Sequence, residues 1–435
     1  MKHIFLDVTR IATRIIRATP TGIDRVELNY ACEILRNHPE HHVISIITTP
    51  WFTGALPTAL VKDVLNRVER AWRLFEPATS DAVYASVCQH LQAPIDRAIT
   101  KTRRFEGASN IELFREGMIY PLRDLTRSAA RLKRRIHAAQ NKPAVYLHTS
   151  HTQLEKPQRF QWLQNTNIKP VFFIHDTIPI ELPEFCSEGA ADKHMTRMRT
   201  VAEHAKLLLV NSQYTADSVD AHLSSAGIAV PKIAPIPLGV DHWFADRASL
   251  HPPINAQPYA LCVGTIEPRK NLPFLLAVWR RLVEELGDKT PRLVIVGRRG
   301  WENENVIDIF ERSSFLAPFL VEVSGLSDAG MASLMAGATA LLAPSFSEGF
   351  GLPVAECLSL GVPVIASDIP AHREVAGDYA TLIDPLDGPN WLRAIKAYFQ
   401  QGSNERKDAV EKTKSFKPIT WKNHVDTALE EIEKL

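Results

Sequence analysis

Short apolar runs alternate with stretches of helically spaced apolar residues over most of the chain, a pattern that predicts parallel sheets flanked by helices. In the first half the predicted strands are His3–Leu6, Val43–Thr48, Ala144–His148, Val171–His175, Leu207–Asn211 and Lys232–Pro237. The segment Leu238 to Pro258, with Pro252 and Pro253 inside it, reads as a linker. The alternation then restarts with Tyr259–Gly264, Leu293–Gly297, Leu320–Ser324, Thr339–Ala343, Val362–Ala366 and Thr381–Ile383. Two Rossmann-like α/β domains are expected, residues 1–245 and 246–420, with a final helix over 421–435. Ligands in such sheets bind at the carboxyl ends of the strands, so the cleft between the domains is the expected site.

Residues 51–142 interrupt this pattern. No strand is predicted there, only Arg-rich helical stretches; residues 97–142 hold twelve Lys or Arg against four Asp or Glu. Around Pro121–Ile136, Leu125, Ala129, Leu132 and Ile136 share one helical face and most basic residues lie elsewhere. Such a helix either lays its apolar face on the core or docks on anionic lipid, and flotation with anionic liposomes separates the two.

Bulk properties narrow the class. At 435 residues, two domains are the natural division. The 45% hydrophobic and 23% charged composition is that of a globular protein, and a net charge of +1 gives no reason to invoke nucleic acid. Five scattered cysteines without a Cys-x-x-Cys suit a reducing compartment and argue against a zinc or disulfide framework. With neither a signal peptide nor an apolar span in view, the expected location is cytoplasmic, with peripheral contact at the inner membrane face.

The most informative stretch is Ser345-Phe-Ser-Glu-Gly-Phe-Gly-Leu-Pro-Val-Ala-Glu356. An apolar strand runs into a glycine turn, and Pro353 fits the first position of a helix. The N–H groups of Gly349, Phe350, Gly351 and Leu352 then form an anion site at a helix N-terminus. Glu348 and Glu356 bracket that site, and a carboxylate suits the paired hydroxyls of a sugar. Upstream, Val263-Gly-Thr-Ile-Glu-Pro-Arg-Lys-Asn271 puts Arg269 and Lys270 at the end of a strand, where two cations can neutralise a diphosphate. Glu267 is placed to orient Arg269.

The two glutamates with seven residues between them, and the Arg-Lys segment before them, resemble the signatures of retaining glycosyltransferases of family 4, which have the GT-B fold. The likeness is clear from about Tyr259 to Asp384 and scattered before that. It implies that Glu348 contacts the donor sugar, Glu356 the ribose, and Arg269 and Lys270 the diphosphate, with Gly264 in the same donor motif. It also implies a metal-independent reaction needing no cofactor, a nucleotide-sugar donor, and a glycan or lipid-linked glycan acceptor. The segments Gly264–Asn271 and His175–Pro179 resemble bacterial mannosyl- and rhamnosyltransferases of surface-polysaccharide and O-antigen assembly, which favours GDP-mannose over UDP- or dTDP-sugars.

Further candidates lie at strand ends. Gly22 and Arg25 follow the first strand, and the resemblance sets that glycine loop against donor phosphate or acceptor. His175 and Asp176 end an apolar strand; relatives place a functional His near the reacting sugar. Asn211 and Ser212 end another, with Ser212 equally suited to cap a helix. Arg298 and Arg299 follow Val294–Gly297, and the loop Ser324 to Ser327 is expected to read the base through its backbone. An NAD-dependent oxidoreductase is disfavoured because no Gly-x-Gly-x-x-Gly follows a strand. A UDP-sugar epimerase would lack the Glu pair with Arg-Lys; a non-catalytic sugar-nucleotide sensor stays open.

Overall fold

The computed structural model describes residues 2–14, 20–49, 52–107, 122–246 and 250–435. Its first seven-stranded sheet holds β1 (His3–Asp7), β2 (His42–Thr48), β3 (Thr53–Ala55), β5 (Ala144–His148), β6 (Lys169–Ile174), β7 (Leu207–Val210) and β8 (Ile233–Pro235), in the order β3-β2-β1-β5-β6-β7-β8. The second holds β4 (Arg103–Glu106), β9 (Tyr259–Val263), β10 (Arg292–Val296), β11 (Leu320–Ser324), β12 (Ala340–Ala343), β13 (Val364–Ser367) and β14 (Thr381–Ile383), in the order β14-β13-β12-β9-β10-β11-β4. Every pairing is parallel except β2 with β3. Parallel strands are covered by helices on both faces and therefore carry continuous apolar runs. Val171–Ile174, Leu207–Val210 and Leu293–Val296 are all buried. That is why these strands were readable from composition.

The expectation of no strand in residues 51–142 is corrected twice. Strand β3 is three residues long and pairs antiparallel at an edge, too short to leave a periodic signal. Strand β4, Arg-Arg-Phe-Glu, is mostly exposed, so it lacks the apolar run of its neighbours. It pairs in parallel with β11, so the first half of the chain completes the second sheet. Neighbouring residues attach there too. The guanidinium of Arg292, at the start of β10, donates to Ala93 O and Pro94 O, both at 2.9 Å.

Asp81 is the firmest of these attachments. It is buried, caps the helix Ala82–Gln92 by accepting from Val83 N and Tyr84 N, and accepts from Ser327 N at 2.6 Å. Arg73 lies 3.0 Å from the same carboxylate. Asp81→Ala is therefore expected to cost roughly 2–4 kcal/mol in denaturant unfolding, a lost cap plus a buried N–H left unpaired. A change below about 0.5 kcal/mol, the range of an ordinary surface site, would contradict this.

The basic helix Leu122–Ala139 packs on β3. Leu132 and Ala139 are buried, Ile136 is half-buried, and Arg131 donates to Ala55 O at 2.8 Å. Leu125 lies outside the residues whose side chains are described. The apolar face is thus used by the protein itself, which leaves Arg127, Lys133, Arg134 and Arg135 facing outward. Among the described residues, no helix is long and apolar enough to cross a membrane.

The last helix, Trp421–Glu433, lies against the first domain. His424 Nδ1 donates to Pro237 O at 2.8 Å, the His424 ring meets Tyr30 edge-on, and Lys2 Nζ donates to Ile432 O at 2.6 Å.

Candidate active site

The carboxyl ends of both sheets face one another, and the turn after β12 lies between them. The helix it feeds begins at Leu352, one residue before the expected start, with Gly351 as its cap and Pro353 in its second position. Gly351 has φ +97°, which L side chains avoid.

Glu348 is the centre of the site and is 8% exposed. One oxygen accepts from Arg269 Nη1 at 2.7 Å; the other accepts from Ser345 Oγ at 2.7 Å and from Lys270 Nζ. Burial alone would raise its pKa, but the two cations override that and hold the carboxyl well below the usual range. Arg269 Nη1 also donates to Ser347 O, and its Nε pairs with Glu267 at 2.6 Å. Glu267 therefore orients Arg269, as its position in the sequence suggested. Gly264, at φ +146°, leaves room for Lys270: a Cβ there would lie 2.8 Å from Lys270 Cε.

The first domain closes directly on this turn. A Cβ on Gly349 would overlap His175 O and come within 3.1 Å of Asp176 Cβ. Ser212 Oγ donates to Gly349 O at 3.1 Å. Asn211 Nδ2 donates to His175 O at 2.7 Å, so Asn211 and Ser212 hold the backbone of the two walls. Ser212 also caps the helix Gln213–Ser225. That helix start is gripped from the second domain by Glu374, which accepts from Gln213 N at 2.6 Å and Tyr214 N at 3.1 Å. Beside Glu348 lies a cavity of about 220 Å³ bounded by Glu181, Leu182, Tyr214, Phe346 and Pro370.

His175 directly follows β6 and is buried, with Nε2 bonded to Thr149 O at 2.9 Å. A carbonyl only accepts, so Nε2 carries the proton. Burial pushes its pKa down to about 3, and the ring stays neutral. Asp176 is pushed up by burial, with Arg269 opposing.

Arg25 and Gly22 both lie on the helix Gly22–Asn37, beside the second domain. Arg25 makes a two-pronged pair with Asp328, at 2.8 and 2.5 Å, and lies 3.2 Å from Asp241. It joins the domains rather than presenting a free guanidinium to phosphate. Gly22 is the first residue of the helix Gly22–Asn37, and a Cβ there would meet Leu352 Cδ1 at 3.9 Å. Arg298 lies exposed, and Arg299 is bound in a fork to buried Glu322 at 2.8 Å. The Ser324–Ser327 loop is partly committed: Ser324 O accepts from Gly107 N, Gly325 O from Arg73, and Ser327 N donates to Asp81.

Glu356 lies beside the Arg25 cluster, and burial pushes its carboxyl up to about 8; Arg25 opposes this, and Asp241 and Asp328 add to it. Asp241 is pushed up to about 6 by the same burial. A carboxyl raised in this way keeps a proton that the unfolded chain releases. Its stabilising contribution is full below pH 4.5, the ordinary value, and is lost as pH rises towards 8. Glu356→Gln, which cannot ionise, is expected to flatten the fall in Tm between about pH 5 and 8. Parallel Tm–pH curves for the two proteins would refute this.

Residues 257–401 match the family described as Glycosyl transferases group 1. This segment, about a third of the chain, is similar to the glycosyltransferases of that group. It contains Arg269, Lys270, Glu348 and Glu356. The chain is 28% identical to the serotype-specific mannosyltransferase WbdA of Escherichia coli over 277 residues, 60% of this chain and 33% of that protein. It is 38% identical to O-antigen chain mannosyltransferase B of Escherichia coli over 145 residues, 33% of this chain and 36% of that one. The chain thus spans about a third of the length of these relatives. A sucrose-phosphate synthase from Thermosynechococcus elongatus superposes with TM-score 0.51 at 17% identity, over 75% of this chain and 80% of that one. An α,α-trehalose-phosphate synthase (UDP-forming) from Burkholderia vietnamiensis gives 0.53 at 12%, over 69% and 74%. The fold is GT-B, with two Rossmann-like α/β domains.

Residues that sequence reasoning missed are Glu374, Asp328, Thr215, whose Oγ1 donates to Gly349 O at 3.4 Å, and His372, whose ring edge lies against Gly351. Each is defined by a partner in the other domain or on another turn, and none sits in a motif.

Proposed function

We propose that the protein is a retaining, metal-independent glycosyltransferase that moves a hexose from a nucleotide diphosphate sugar to a glycan or lipid-linked glycan acceptor. The observation that carries this reading is the clasp of Arg269 and Lys270 on Glu348 at a helix N-terminus. Two cations and the backbone N–H groups of the glycine turn at the helix start supply the counter-charge that a departing diphosphate needs. Diphosphate oxygens compete with Glu348 for both cations, and Glu348 released from them is free to bind sugar hydroxyls.

Mannose from GDP-mannose is the favoured transfer, supported by the names of the relatives, a serotype-specific mannosyltransferase and an O-antigen chain mannosyltransferase. UDP- and dTDP-sugars are the alternative donors. The outward basic face of Leu122–Ala139 fits an anionic membrane surface by charge alone. Flotation with anionic vesicles at low salt checks it, and no binding there removes it.

The deciding experiment measures nucleoside diphosphate release from GDP-, UDP-, dTDP- and ADP-sugars, with Glu356→Ala as control. Release from GDP-mannose, lost in the variant, is expected. Silence across the panel together with no donor binding by titration would overturn the assignment.

A further inference from the structure

His372 stands under the donor turn, yet no motif contains it. It lies in the helix Pro370–Ala376, on the turn that follows β13 and borders the cavity beside Glu348. The residue is 1% exposed. Its Nδ1 is 2.9 Å from Ser367 O. A carbonyl accepts only, so Nδ1 carries the proton, and in the neutral ring Nε2 is left as an acceptor lone pair. Burial lowers the pKa and keeps the ring neutral; Glu348 opposes that, which places the ring within reach of the Glu348 charge. The Cδ2–Nε2 edge faces Gly351: a Cβ built there would lie 3.2 Å from Cδ2 and 3.6 Å from Nε2. Among the described residues Nε2 has no hydrogen-bond partner.

A fixed acceptor lone pair has a narrow choice of ligand. It repels phosphate oxygens, which carry no proton near neutral pH, and it rewards a hydroxyl. Arg269, Lys270 and the helix N–H groups have the opposite preference. The donor turn therefore has an anion-seeking side and a hydroxyl-seeking side, and the second is formed by Glu348 and His372.

We propose that His372 Nε2 accepts a hydrogen bond from a hydroxyl of the transferred sugar and so helps set which hexose the site takes. This rests on the glycosyltransferase reading above. It also gives Gly351 a second reason to be glycine, since a side chain there would press on the imidazole edge.

The test is titration of wild type, His372→Phe and His372→Gln with the sugar nucleotide that binds in the panel above, and with its own nucleoside diphosphate. His372→Phe is expected to weaken the sugar nucleotide roughly tenfold, the worth of one buried hydrogen bond, and to leave the nucleoside diphosphate unchanged. His372→Gln, whose amide oxygen reaches the Nε2 position, is expected to recover most of the loss. Equal weakening of both ligands, or of neither, overturns the proposal. If His372→Phe melts too early to titrate, monodeoxy donors decide on wild type and His372→Gln. One deoxy position must weaken binding to wild type and weaken it less in His372→Gln, and a uniform response overturns the proposal. Failure of wild type to bind any sugar nucleotide would refute the glycosyltransferase reading itself, a result that needs no variant to be seen.

Discussion

Arg269→Ala is expected to lower turnover by roughly 10²-fold or more, the scale of losing one preorganised contact to a developing negative charge. Its three roles fail together. Nη1 holds Glu348 and Ser347 O, Nε is fixed by Glu267, and the guanidinium also faces Asp176. Glu348, buried and normally held ionised by two cations, would be left with Lys270 alone. Breaking a buried pair by removing one partner costs roughly 3–5 kcal/mol, so a fall in unfolding stability is expected beside the kinetic loss. Arg269→Lys keeps the charge but has no fork to span Glu267 and Glu348, and should recover little of the rate. Lys270→Ala is expected to cost a similar factor in turnover. Steady-state kinetics with the active donor, paired with urea unfolding, separates chemistry from folding. Near wild-type transfer by both alanine variants would end the donor-site assignment.

The second large effect needs only one methyl group. Gly349→Ala puts a Cβ into the carbonyl oxygen of His175, which is backbone and held in place by Asn211. Neither atom is the movable tip of a side chain, so the donor turn and the first domain must separate. Ser212 Oγ would then lose Gly349 O, and the distance between His175 and Glu348 would grow. A displacement of about 1 Å at a reacting centre is worth about 10² in rate, and a loss of that order in kcat is expected. Wild-type turnover in Gly349→Ala would mean that this contact is not part of the working geometry.

The two predictions draw on different parts of what the chain encodes. Arg269, Lys270 and Glu348 stand out in the sequence because each sits next to a strand end or helix start that its own neighbours define, and the structure brings these three together. Gly264 and the Glu267–Arg269 pair follow from the same local logic. Asn211 and Ser212 were found at the right strand end, but their roles were not: they tie backbone across the cleft, which no local pattern announces. Arg25 has partners that only the fold supplies. A cation after the first strand looks free in the sequence, and only the fold brings Asp328 and Asp241 to it, from 303 and 216 residues away.

The sequence by itself determined the two α/β units, most of their strands and the two segments that meet at Glu348. Parallel strands covered on both faces must be apolar throughout, and an anion site at a strand–helix turn needs glycine and a helix start beside it. Those constraints are local and so leave a trace in consecutive residues. Tertiary structure alone decided that β4 completes the second sheet, that Asp81 holds the loop before Asp328, that Glu374 grips the helix Gln213–Ser225, and that His372 lies under Gly351. In each of these the energy comes from a group distant in the chain. The residue itself is an ordinary polar or charged one, and its partner is chosen by the packing of the two domains.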